Sequence, residues 1–212
     1  MDFLRHAIDF VLHLDTHLAA LTAEYGTWSY AILMLIVFCE TGLVVTPILP
    51  GDSLLFAAGT LAALGSLDPL LLNILIFSAV LMGDNVNYWI GRYVGPKAFA
   101  MNSRFIKRKH LEYTQGFFAR HGGMTVVLAR FVPIVRTFTP FVAGVGAMTY
   151  PRFLGFSILG AAIWVTGFIW VGYFFGNLPV VRQNFSLVVL AILVLSVVPM
   201  IVTVIRERRR SA

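Results

Sequence analysis

The sequence predicts an all-α polytopic membrane protein built on inverted repeats, in which two re-entrant, proline-broken helical hairpins sit among spanning and amphipathic helices. Three observations predict it. Of the 212 residues, 58% are hydrophobic and only 12% charged, whereas a soluble domain is about half apolar and about a quarter charged. Two runs, Phe153 to Phe175 and Phe185 to Ile205, contain no charged residue, and at ~1.5 Å per residue each is long enough to cross ~30 Å of hydrocarbon. Two further apolar stretches are interrupted by prolines and ionisable side chains, a pattern that membranes tolerate where irregular backbone lines a cavity.

The N-terminal segment, residues 1–25, is expected to form an amphipathic helix. Leu4, Ala7, Ile8, Val11, Leu14, Leu18 and Leu21 recur at helical spacing with Asp2, Arg5, Asp9, His13 and His17 mostly opposite, which suits a helix lying along the membrane or the protein. His13 and His17 stand four apart, but no further ligand cluster accompanies them, so a solvated face is the reading and no metal is expected. The segment has no basic n-region or small-residue cleavage site, and no cleaved signal peptide is expected. A single cysteine, Cys39, rules out an intrachain disulfide and reads as a packing residue.

A single membrane domain, residues 26–206, follows. An apolar segment runs from Trp28 through Cys39, meets Glu40 and continues to Leu49. Pro47, Pro50 and Gly51 then break the helix, because proline lacks a donor and clashes with the preceding turn. Asp52 sits on that break, and Leu54 to Leu67 completes a hairpin over about 47–67. Asp68 and Pro69 make a turn, and Leu70 to Tyr93 reads as a span carrying Asp84, Asn85 and Asn87 in its second half. Residues 102–121 combine basic residues with Phe105, Ile106, Leu111, Phe117 and Phe118, the composition of an interfacial helix facing anionic headgroups, stopped by Gly122 and Gly123. The second broken hairpin, about 124–148, is interrupted by Arg130, Pro133, Arg136 and Pro140 and is glycine-rich at its end, Gly144 included. Residues 207–212 form a basic tail.

Charge bias sets the expected topology. The net charge of +6 collects at the ends of apolar segments, which is an orientation signal and not a nucleic-acid surface. Placing Arg206 to Arg210 and the basic stretch before Gly122 in the cytoplasm forces residues 124–148 to enter and leave on one face, while the mouth of the 47–67 hairpin opens on the other. Broken segments entering from opposite faces and meeting near the midplane are the mark of inverted-repeat transporters. A short internal similarity agrees: Pro47-Ile48 followed by Phe56-Ala57-Ala58-Gly59 resembles Pro133-Ile134 followed by Phe141-Val142-Ala143-Gly144, one residue out of register.

Five ionisable residues are expected at membrane depth: Glu40, Asp52, Asp84, Arg130 and Arg136. Unpaired, they would together cost on the order of 15 kcal/mol on permissive insertion scales, so they must be paired, hydrated or neutralised. Carboxylates in low dielectric exchange protons, whereas arginine stays charged and forks onto carboxylate or phosphate. The set therefore reads as proton-coupling acids, Glu40, Asp52 and Asp84, beside phosphate-binding bases, Arg130 and Arg136. A purely structural alternative is an internal ion-pair network, for example Glu40 with Arg136, and Asp84 also reads as a local polar contact near an interface.

These residues carry a resemblance. Phe38-Cys39-Glu40-Thr41-Gly42, Pro47-Ile48-Leu49-Pro50-Gly51-Asp52-Ser53, Gly83-Asp84 through Tyr88 to Gly91-Arg92, and His121-Gly122-Gly123 leading to Arg130-Phe131-Val132-Pro133-Ile134-Val135-Arg136, then Pro140 and Ala143-Gly144, together resemble the DedA family of bacterial membrane proteins, also called the SNARE-associated or VTT-domain family. The resemblance covers nearly the whole chain. It implies residence in the bacterial inner membrane and proton-dependent movement of a lipid, either the carrier undecaprenyl phosphate or a phospholipid, with Glu40 and Asp52 as acids and Arg130 and Arg136 as essential bases.

The expected function is thus a proton-coupled flippase for an anionic lipid phosphate, with membrane lipids as partners, protons as coupling ion, no other cofactor, and self-association into a homo-oligomer left open. Two alternatives stand beside it: a proton-coupled carrier of a small ion or drug that maintains membrane potential, and a non-transport scaffold acting through its basic cytoplasmic surface. An enzyme is not expected. Between Trp28 and Ile205 the only histidines are in the basic stretch, and no Gly-x-Ser-x-Gly elbow occurs, so a nucleophile with its base is missing.

Overall fold

The computed structural model describes residues 14–42, 51–94, 108–176, 178–183, 187–188 and 191. All regular structure among them is helical: α1 (Leu14–Tyr25), α2 (Trp28–Gly42), α3 (Gly51–Ala63), α4 (Pro69–Val94), α5 (Arg108–His121), α6 (Thr125–Leu128), α7 (Pro133–Val142), α8 (Tyr150–Phe175) and α9 (Pro179–Gln183). The expected spans Leu70 to Tyr93 and Phe153 to Phe175 fall within α4 and α8. Pro47, Pro50, the start of the N-terminal segment, most of the run from Phe185 to Ile205 and the basic tail lie outside the described residues.

α4 and α8 have 26 residues each, about 39 Å at the helical rise, more than the hydrocarbon thickness. Their outer faces are apolar: Leu70, Ile74, Met82 and Ile90 on α4 and Ile158, Ile163, Val171 and Phe174 on α8 are exposed. Such faces are suited to lipid, not water. Asp68 starts α4 by accepting the Leu71 N–H on Oδ1 at 2.7 Å, with Pro69 at the first helical position, where a missing N–H costs nothing. α3 is buried on all sides except at Asp52 and its last residue, as expected for a short helix that is apolar all round.

The packing is reciprocal. A Cβ placed on Gly59 of α3 would strike the Ile169 carbonyl of α8, and one on Gly172 of α8 would strike the Phe56 carbonyl of α3. In the other half, a Cβ on Gly144 would strike the Tyr88 carbonyl of α4, and one on Gly91 of α4 would strike the Phe141 carbonyl of α7. Phe56 to Gly59, Phe141 to Gly144, Ile169 to Gly172 and Tyr88 to Gly91 all span one helical turn, so both crossings are the same backbone-to-backbone contact. Thus α3 packs on α8, and α7 with the turn after it packs on α4. The internal similarity extends accordingly to Trp89-Ile90-Gly91 and Trp170-Val171-Gly172.

Two apolar clusters form the interior. One joins Leu33 and Val37 of α2, Leu54 to Ala62 of α3, Leu72 to Val80 of α4 and Ala161 to Ile169 of α8. The other joins Tyr88 of α4, Phe118 of α5, Val126 of α6, Phe138 to Ala143 around the end of α7, and Phe153 of α8. α4 passes from the first cluster to the second and α8 from the second to the first, so the two long helices run in opposite senses.

The segment from 122 to 148 is more fragmented than one proline break implies. α5 ends at Gly122, whose φ of +55° is open to glycine at no steric cost. The chain continues through a 3₁₀ turn (Gly122–Met124), α6, a second 3₁₀ turn (Ala129–Phe131), α7 and a π-helical turn (Ala143–Ala147). Pro133 opens α7 and Pro140 lies inside it. Gly144 belongs to the π-helical turn and serves close packing against α4 instead of breaking the chain.

Candidate functional site

On α4, Asp84 and Asn87 fall between Val80 of the first apolar cluster and Tyr88 of the second, and on α8 Ser157 falls between Phe153 and Ala161. A polar seam therefore separates the two clusters, and the five predicted site residues converge there. Among the side chains whose burial is described, Glu40, Asp52, Asp84, Arg130 and Arg136 are the charged ones that are not exposed.

Arg136 is held by two acids from the first half. Its Nη2 donates to Glu40 Oε1, and its Nη1 donates to Asp52 Oδ1 at 3.1 Å. Glu40 lies in the last turn of α2, Asp52 in the first turn of α3 and Arg136 in the first turn of α7, where its N–H donates to the Val132 carbonyl at 2.9 Å. Gly51 explains why α3 can begin against Glu40: a Cβ there would overlap the carboxylate. The positive end of α3 thus faces an acid, a favourable arrangement. Pro140 follows Arg136 by one turn and supplies no N–H to the Arg136 carbonyl, loosening the helix at that point.

α8 contributes a residue that the sequence analysis did not single out. The indole N–H of Trp164 donates to Asp52 Oδ1 at 2.9 Å, and the Arg136 guanidinium lies over its ring at 5.1 Å from the centroid, a cation–π contact. Trp164 lies in the charge-free run Phe153 to Phe175, where nothing in the residue order distinguishes it from a lipid-facing aromatic.

Arg130 forms a second, deeper pair. Its Nη2 donates to Asp84 Oδ2 at 2.6 Å and to the Ser157 carbonyl at 3.2 Å, while the Ser157 hydroxyl donates to Asp84 Oδ2 at 2.5 Å. Arg130 and Asp84 are each 4% exposed, so Asp84 is a buried member of the seam. A Cβ at Gly160 would lie 2.8 Å from Arg130 Nε; the glycine makes the slot that the guanidinium occupies. Asn87 Nδ2 donates to the Thr41 carbonyl at 3.2 Å and to the Thr137 carbonyl at 3.0 Å, tying α2 and α7 to α4 beside the charges.

Asp84, Arg130 and Arg136 line one pocket with Val126, Ala129, Thr139 and Pro140, with room for about one water molecule. Glu40 Oε2, Asn87 Oδ1, Ser53 Oγ and Arg130 Nε are buried without a hydrogen-bond partner. Such groups are costly unless another state or a ligand satisfies them. Among the described residues no three His, Cys, Asp or Glu side chains converge as a metal set.

Comparison with known proteins identifies the family. The VTT domain model matches residues 49–174. Protein DedA of Escherichia coli (strain K12) is 52% identical over 215 residues, covering 100% of this chain and 98% of that protein. An uncharacterized membrane protein of Mycobacterium tuberculosis (strain H37Rv) is 43% identical over 191 residues, 87% of this chain and 83% of its own. Inner membrane protein YghB of Escherichia coli (strain K12) is 29% identical over 196 residues, 89% and 84% of the two chains. No solved structure matches. With the family model covering more than half of its length and a relative matched end to end, the chain belongs to the VTT-domain, or DedA, family of membrane proteins.

Proposed function

We propose that the protein is a proton-coupled flippase that moves an anionic lipid phosphate, undecaprenyl phosphate or a phospholipid, across the bacterial inner membrane. The observation that carries this reading is Arg136, half-buried where the ends of α2, α3 and α7 meet and forked onto Glu40 and Asp52. A guanidinium that binds two carboxylates binds a phosphate with the same planar fork. Its place in the first turn of α7 adds a helix N-terminus, whose partial positive charge favours anions. Protonation of the carboxylates weakens their hold on Arg136 and frees it for the phosphate; deprotonation recaptures it and expels the cargo. Arg130, Asp84 and Ser157 hold the adjoining wall of the pocket.

In this reading the chain is multi-pass with its C-terminus in the cytoplasm, residues 47–67 and 124–148 are re-entrant from opposite faces, and the pocket between them opens alternately to each side. The reciprocal glycine contacts supply two equivalent sliding surfaces. No cofactor besides the proton takes part, and no bond in the cargo is made or broken.

The test is movement of labelled undecaprenyl phosphate in vesicles holding the purified protein, with and without a pH gradient. Glu40→Gln should retain folded protein and lose the response to the gradient; an unchanged response removes Glu40 from the coupling. The small size of the pocket favours a second reading, a proton-coupled carrier of a small ion. Ion flux in vesicles, with no lipid movement, would support that carrier.

A further inference from the structure

Gly83, Asn87 and Gly91 follow one another at intervals of four residues along α4, so they share one face of that helix. The end of α2 lands on the first of them: a Cβ on Gly83 would strike Thr41 Oγ1, and one on Gly42 would lie 3.2 Å from Gly83 Cα. The end of α7 lands on the last, where a Cβ on Gly91 would strike the Phe141 carbonyl. Asn87, fully buried between the two glycines, reaches both neighbours. α2 and α7 each pack more extensively on α4 than on one another, so their relative placement is set on this face.

What the Asn87 amide faces settles its orientation. Its two neighbours are carbonyl oxygens, of Thr41 at 3.2 Å and of Thr137 at 3.0 Å, so the nitrogen points there and each of its two protons has an acceptor. Thr41 follows Glu40 and Thr137 follows Arg136; the two carbonyls belong to the turns that carry the Glu40–Arg136 ion pair. The Thr41 carbonyl is among the last four of α2, which find no donor within the helix. The Thr137 carbonyl lies at the turn where Pro140 withholds an N–H from Arg136. Asn87 Oδ1, in contrast, is buried with no hydrogen-bond partner. An unmet buried acceptor costs stability, and a leucine of similar volume would fill the space without that cost. Packing alone therefore does not account for the amide, whereas its two donated hydrogen bonds do.

We infer that Asn87 is a positioning residue: its side-chain amide clamps the α2 turn bearing Glu40 to the α7 turn bearing Arg136, and this separation decides whether the guanidinium reaches the glutamate. With the amide engaged, the two side chains meet. With it released, the α7 turn, already loosened at Pro140, moves away from α2 and Arg136 parts from Glu40. The Arg130–Asp84 pair, joined outside these two turns, does not depend on the clamp. The clamp acts on backbone geometry, so it stands whichever cargo the site moves; only its effect on transport rests on the flippase reading above.

Solid-state NMR of the purified full-length protein in lipid vesicles reads these contacts directly. With asparagine side chains labelled with ¹⁵N and threonine carbonyls with ¹³C, dipolar coupling should join the amide to threonine carbonyls in the wild type, and Asn87→Leu should remove it. No such coupling in the wild type overturns the clamp before any variant is made. With arginine ¹⁵N and carboxyl ¹³C labels, Asn87→Leu should lose the glutamate–arginine coupling that Glu40→Gln identifies. It should keep the aspartate–arginine coupling that survives in Arg136→Ala. Retention of the glutamate coupling overturns the positioning role, and loss of both couplings makes Asn87 a residue of folding alone, which also overturns it. Should Asn87→Leu not fold, Asn87→Ala, which leaves room for water to meet the two carbonyls, takes its place. In the same vesicles Asn87→Leu should move labelled undecaprenyl phosphate severalfold more slowly; an unchanged rate overturns the part of the clamp in transport. Lipid movement by the wild type without these couplings overturns the clamp alone, and the couplings with no lipid moved overturn the flippase reading alone.

Discussion

Arg130 and Arg136 line one pocket, yet different elements of the first half neutralise them: Asp84 in the middle of α4 neutralises Arg130, and Glu40 and Asp52 at facing ends of α2 and α3 neutralise Arg136. The two arginines come from the same broken segment, one turn before and one turn after Pro133. Arg130 is anchored to two long helices that pack continuously, whereas Arg136 is anchored where three short elements begin or end. On the proposed reading the first pair is the fixed one and the second the exchangeable one.

Breaking the fixed pair should cost both stability and transport, and only the stability should return when both charges are removed. Removing one partner of a buried ion pair leaves the other charge uncompensated, at about 3–5 kcal/mol. Asp84→Asn is expected to lower thermal stability in detergent strongly, while the double change Asp84→Leu with Arg130→Met regains much of it without regaining transport. A double variant no more stable than Asp84→Asn would contradict the pairing.

The glycine contacts predict symmetric damage. Gly172→Ala and Gly91→Ala each push a methyl into a backbone carbonyl of a broken segment, and overpacking of this kind costs about 1–3 kcal/mol. Both should unfold at lower temperature by comparable amounts. Full stability of either variant would show that its helix crossing is looser than described.

Pro140→Ala restores an N–H facing the Arg136 carbonyl and should make α7 more regular. The expected result is unchanged or higher thermal stability with slower transport, because the residue that must exchange partners is now held by a continuous helix. Transport at the original rate would remove the loosened turn from the mechanism.

Much of this was legible in the sequence. The long helices α4 and α8 follow from long apolar runs, the end of α5 from Gly122 and the start of α7 from Pro133, and the ionisable residues of the seam stand out as charges interrupting apolar segments. Even the Glu40–Arg136 pair was among the alternatives that this cost suggests. The partners of those charges were not legible, because they are set by helix crossings. Trp164 and Ser157 lie in an uncharged run whose inward face is defined only when Gly59 meets Ile169 and Gly172 meets Phe56. Gly160 is likewise one of several glycines in α8, and its function as the slot for Arg130 depends on contact between segments thirty residues apart. The fragmentation between Gly122 and Met148 exceeds what prolines alone indicate, since 3₁₀ and π turns arise from local packing against α4 and α8.

The most direct test is the uptake of labelled undecaprenyl phosphate by vesicles containing the purified protein, with and without an imposed pH gradient, compared with Arg136→Ala. The account predicts gradient-sensitive movement in the wild type and a loss of at least about tenfold in the variant, equivalent to ~1.4 kcal/mol or more of lost stabilisation, with the variant still folded in the membrane. Normal movement by Arg136→Ala, or movement that ignores the gradient, would contradict it.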